Sequence, residues 1–96
     1  MTQVKELVLQ ALEGVPASVY LFGSWARGEE RRTSDIDIAV RSEGPLPTGI
    51  LRGLRDLLEE APIPYRVDVV DLREADGALW ERIKKEGILW KGCGKD

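Results

Sequence analysis

Gly23-Ser24-Trp25-Ala26-Arg27-Gly28, followed after the polar run Glu29-Glu30-Arg31-Arg32-Thr33 by Ser34-Asp35-Ile36-Asp37, is the stretch whose reading decides the fold. Just before it, Ser18-Val19-Tyr20-Leu21-Phe22 is β-branched and aromatic and reads as a buried strand that runs straight into Gly23. The turn therefore sits at a strand's carboxyl end. Glycine there lets backbone N–H groups approach an anion, the Ser24 hydroxyl adds a donor, and a short following helix would point its positive end at the same spot. Arg27, three residues after Ser24, falls on the same face and can fork onto a pair of phosphate oxygens. Without acids to follow, a plain glycine turn beside a surface arginine would be the better reading.

Acids do follow. Asp35-Ile36-Asp37-Ile38-Ala39-Val40 alternates with period two, so both carboxylates project from one face while Ile36 and Ile38 turn into the core. Two like charges held side by side repel, and such a pair calls for a divalent cation or an arginine. An isolated Asp-x-Asp is as readily a solvated strand end. Asp68 adds a third element: flanked by Val67 and Val69 in an otherwise apolar strand, it is a costly place for an unpaired charge. If that strand lies beside the second, Asp35, Asp37 and Asp68 form an all-oxygen site suited to Mg²⁺. Asp71 falls on the opposite face by parity and reads as a strand-end cap.

Working outward, Val4, Leu7, Val8, Ala11 and Leu12 mark one face of an opening helix, stopped by Gly14 and Pro16. After the turn-rich Gly44–Gly49, residues Ile50, Leu51, Leu54, Leu57 and Leu58 mark a second, closed by Pro62 and Pro64. A third strand covers Tyr65–Val70. A further helix runs over about Glu74–Glu86 with Leu79, Trp80 and Ile83 inward, and Ile88-Leu89-Trp90 closes the order as a short strand. Trp25 reads equally as an exposed aromatic or as one packed on the first helix; Trp80 and Trp90 read as core or interface.

The chain has 96 residues, a formal net charge of −3, no histidine and one cysteine, Cys93. These numbers predict one globular domain over residues 1–91 and a disordered tail over 92–96, with Cys93 an incidental thiol. They exclude an intrachain disulfide and a Cys/His zinc site, so any metal must be held by oxygen. Scattered basic residues and net negative charge argue against a long nucleic acid as partner. No apolar run approaches a membrane span and no signal-peptide pattern opens the chain, which predicts a soluble, cytoplasmic protein.

The combination of Gly-Ser, Arg-Gly three residues later, Ser-Asp-x-Asp and a later hydrophobic-Asp-hydrophobic strand resembles the nucleotidyltransferase superfamily of DNA polymerase beta, and within it the minimal nucleotidyltransferases. The resemblance covers nearly the whole chain, including Glu86-Gly87-Ile88-Leu89-Trp90 as the terminal strand. It implies a two-layer α+β fold, a small mixed sheet with helices packed on one face. It also assigns Gly23, Ser24 and Arg27 to the phosphates of a nucleotide, with Asp35, Asp37 and Asp68 as catalytic ligands of two Mg²⁺ ions. The implied reaction is transfer of a nucleoside monophosphate, most commonly AMP from ATP, to an acceptor hydroxyl. Length and charge disfavour a polymerase, and relatives that modify aminoglycosides carry an additional helical domain. Members of this branch pair with a small helical HEPN-type partner, often a ribonuclease toxin, and act as its antitoxin, in some systems by adenylylation. The expected assembly is a hetero-oligomer. Two alternatives remain at this point: a module that neutralises its partner by contact alone, and an enzyme that nucleotidylates a small molecule.

Overall fold

The computed structural model describes residues 2–29 and 35–92. The run from Glu30 to Ser34, and residues 93–96 of the expected tail, Cys93 among them, lie outside the described residues. Eight elements follow in order: α1 (Thr2–Ala11), β1 (Ala17–Phe22), α2 (Ser24–Arg27), β2 (Ile36–Ser42), α3 (Ile50–Glu60), β3 (Val67–Asp71), α4 (Gly77–Glu86) and β4 (Ile88–Lys91). The strands form one mixed sheet in the order β3-β2-β1-β4. β1 pairs antiparallel with β2 and with β4, and β2 pairs parallel with β3. A parallel pair needs a crossover, which α3 provides.

Alternation along the strands sorts side chains onto two faces. Val19, Leu21, Ile36, Ile38, Val40 and Val69 point to the first face and meet Val4, Val8 and Leu12 of α1 and Leu51, Leu54 and Leu58 of α3. Each of these side chains contributes roughly 1.5–3 kcal/mol by leaving water, so this layer holds the fold together. Half-buried Trp25 and Tyr65 pack against the same core, with ring centroids 5.0 Å apart at 73°, an edge-to-face pair. Trp25 is thus a packing residue whose partner is Tyr65.

The second face carries Tyr20, Asp37, Ala39, Arg41 and Asp68. The one-sided helical layer expected for the fold is formed by α1 and α3, while α4 lies over part of this second face. Its Ile83 is 2% exposed. Its Trp80 meets Tyr20 edge-to-face at 5.5 Å and lies under the Arg41 guanidinium at 4.5 Å. α4 begins at Gly77, three residues later than periodicity implied, because Asp76 Oδ1 accepts from Leu79 N at 3.1 Å and fixes the cap there. It ends hard against Gly87, where a Cβ would lie 2.6 Å from the Ile83 carbonyl oxygen. Only hydrogen fits in that turn.

Both sheet edges are tied down. Lys91 Nζ donates to the carbonyls of Val15 (2.9 Å) and Ala17 (3.1 Å). On the other side Arg55 Nη2 donates to the Val69 carbonyl at 2.8 Å, from α3 onto the outer edge of β3.

Candidate functional site

Two strand registers build the site. In the antiparallel ladder Phe22 faces Asp37, and in the parallel ladder Asp37 faces Asp68. The first places the Gly23 turn directly beside Asp37; the second sets Asp37 and Asp68 opposite each other on neighbouring strands, whose backbones run about 4.8 Å apart. Asp35, immediately before β2, shares the parity of Asp37 and is exposed. The sheet therefore brings the three expected acids to one face.

Gly23 is required here on two counts. Its φ of 79° and ψ of −155° lie where side-chain-bearing residues are strained. In addition, a Cβ would run into Asp37 Oδ2 and lie 3.2 Å from Asp37 Cγ. The Gly23 carbonyl accepts from Ala26 N (3.1 Å) and Arg27 N (3.2 Å), which closes the single turn of α2. Those two N–H groups are thereby committed, and the Ser24 side chain is the turn's clearest donor toward an anion.

The electrostatics of Asp37 define the site's chemistry. Burial raises its pKa above the ordinary value, and the charges of Asp68 and then Asp35 raise it further, against a weaker opposing effect of Arg27. Among the described residues the Asp37 carboxylate has no hydrogen-bond or ion-pair partner. Among the described residues Asp68 has only a long contact, 3.9 Å, to Arg66 Nε. Half-buried, under-neutralised oxygen ligands on a rigid sheet fit a hard divalent cation. The acids are not drawn into a closed cluster: among the described residues no three acidic side chains already surround one point.

Beside Asp37 opens a cleft of about 350 Å³ lined by Phe22, Gly23, Ser24, Arg27, Asp37, Arg82, Ile83 and Glu86. Arg27 reaches it as expected, but bound to two glutamates: Nε donates to Glu29 Oε1 at 2.9 Å and Nη1 to Glu86 Oε2 at 3.4 Å. Its pKa is raised, chiefly by the hydrogen bond to Glu29. Asp71 turns away, with Oδ1 accepting from Arg73 N at 2.9 Å, the strand-end cap that parity implied. Sequence reasoning missed the α4 wall. Arg82 and Glu86 are four apart on that helix and flank the inward Ile83, so the periodicity that buried Ile83 also carried their position.

The polymerase beta nucleotidyltransferase model matches residues 6–91. The chain belongs to that family. As a nucleotidyltransferase-family chain it is 39% identical over 78 residues to a protein named protein adenylyltransferase MntA from Shewanella oneidensis. That match covers 81% of this chain and 55% of the relative, and a second curated relative is spanned over 63% of its length. Among solved structures it is similar to a toxin-antitoxin complex with AMP-PNP, at TM-score 0.74 and 32% identity, covering 92% of this chain and 73% of that one. It is also similar to the structure of a tri-AMPylated Shewanella oneidensis HEPN toxin in complex with its MNT antitoxin, at TM-score 0.68 and 28% identity, covering 95% and 71%. Among the described residues, no helix of this family member is long and apolar enough to cross a membrane.

Proposed function

We propose that this nucleotidyltransferase transfers AMP from ATP to a hydroxyl of a HEPN-type partner protein, in hetero-oligomeric complex with it and as its antitoxin. The observation that carries the reading is the double register Phe22–Asp37–Asp68, which sets a glycine-serine turn and paired carboxylates at one point of the sheet. The likeness to the adenylyltransferases and toxin-antitoxin complexes supports the identity of donor and acceptor.

In this reading Gly23 admits the triphosphate close to the backbone, and the Ser24 hydroxyl and the Arg27 guanidinium orient it. Asp35, Asp37 and Asp68 hold two Mg²⁺ ions. When bound, these ions supply charge neutralisation on the leaving pyrophosphate and lower the pKa of the acceptor hydroxyl. Asp68, at the far side of the pair from Gly23, orients the acceptor hydroxyl or takes its proton. The oxygen then attacks the α-phosphorus in line, and pyrophosphate departs on the Ser24 and Arg27 side.

The test is transfer of label from ATP, with Mg²⁺, to a HEPN-type partner encoded beside this chain. Labelling that is lost in Asp35→Asn and Asp37→Asn supports the reading. Unlabelled partner in a tight complex that those variants still form would replace it with neutralisation by contact.

A further inference from the structure

We propose that Arg82 is the second phosphate-binding cation of the cleft, taking the terminal phosphates of the nucleoside triphosphate from the α4 wall. The inference rests on the nucleotide reading above.

The cleft beside Asp37 has two opposed walls: the Gly23-Ser24 turn with Arg27 on one side, and Arg82, Ile83 and Glu86 of α4 on the other. Its two arginines are not equivalent. Arg27 is already held by Glu29 and Glu86, so an incoming triphosphate meets a guanidinium whose charge is largely answered. Arg82 makes no ion pair or hydrogen bond among the described residues. Its natural helical partner, Glu86 at i+4, is turned to Arg27 instead. A guanidinium without a side-chain partner among the described residues, lining a cleft whose other charged residues are Arg27, Asp37 and Glu86, is a donor set available to an anion, and its planar fork suits phosphate oxygens.

Of the α4 cations Arg82, Lys84 and Lys85, only Arg82 lines the cleft. Lys84 is bound to Glu81 at 2.8 Å and sits 5.5 Å from the Trp80 ring centroid, at the Tyr20–Arg41 part of the face. Arg82 is also fixed at its base, because the adjacent Ile83 is buried against the sheet. A long side chain on an anchored stem loses less freedom on binding than one on a loop. The acids lie on the Asp68 side of the cleft, where metal would neutralise the reacting phosphate. Phosphates beyond Ser24 need a cation of the protein's own, and of the two arginines that line the cleft Arg82 is the one whose donors make no hydrogen bond among the described residues.

Equilibrium binding of ATP, tripolyphosphate and AMP, each with Mg²⁺, to the wild type, Arg82→Gln and Arg82→Lys tests this. Losing a charged hydrogen bond to the terminal phosphates predicts about tenfold weaker ATP and tripolyphosphate binding in Arg82→Gln, with AMP within about twofold and partial recovery in Arg82→Lys. Arg82→Gln binding ATP as tightly as the wild type, or losing AMP as much as ATP, overturns the assignment. A wild type that binds none of the three ligands sinks the nucleotide reading itself. Thermal melts of each variant confirm an intact fold, as expected for an exposed position.

Discussion

Gly23 and Asp37 are the residues at which fold and chemistry conflict most directly. Gly23→Ala combines a strained backbone with a Cβ aimed at the Asp37 carboxylate, so it is expected to cost about 1–3 kcal/mol in urea denaturation and to abolish nucleotide binding. Asp37 shows the opposite pairing. Its folded pKa lies above the ordinary 3.8 because of burial, then Asp68, then Asp35, so the folded chain holds that proton more tightly than the unfolded chain. Its contribution to stability therefore grows as pH falls from the folded value toward 3.8, and at neutral pH the ionised group is a burden. Asp37→Asn is expected to raise the melting temperature at pH 7 by on the order of a degree or two while eliminating transfer. Mg²⁺ should raise the melting temperature of the wild type and leave that of Asp37→Asn nearly unmoved; a variant less stable than the wild type would contradict this account.

At the scale of elements, α4 is the second wall of the cleft. It is attached to the second face mainly through Ile83 and through the Trp80 ring between Tyr20 and Arg41. Ile83→Ala is expected to destabilise by about 2–5 kcal/mol, and, because Arg82 and Glu86 ride on the same turns, to raise the KM for ATP more than it lowers kcat. Denaturation together with steady-state kinetics measures both. Most of the helices and strands were legible from periodicity: Leu51, Leu54 and Leu58 of α3 are buried as their spacing dictated, whereas Leu57, expected on the same face, is 39% exposed. The first turn of α4 was not, since the Asp76 cap starts the helix at Gly77 and leaves Glu74 and Ala75 outside it. Arg82 and Glu86 were hidden for a different reason. Their importance depends on which sheet face α4 covers, and hydrophobic spacing within one helix carries no such information.

For the whole molecule, structure and chemistry are divided between the two faces of the sheet. The apolar layer beneath α1 and α3 supplies the stability, and the acids stand on the reverse. Leu54→Ala, a change at a residue 1% exposed, is accordingly expected to cost about 2–5 kcal/mol by denaturation while leaving the nucleotide Kd of the folded protein within about twofold. The three acids could be placed on one face from parity alone, since alternation along a strand is fixed. Their registers could not, because Asp37 opposite Asp68 depends on how the crossover through α3 aligns β3. The partial neutralisation of Arg27 by Glu86 lay further out of reach, being a contact between distant parts of the chain. Whole-molecule geometry also leaves β3, with Asp68 on it, at an open border of the sheet. Bare strand borders are where foreign strands add and chains begin to stack into fibrils. Arg55, by occupying the Val69 carbonyl, puts a charged plug on that border, which hinders self-templating at the very strand that carries Asp68.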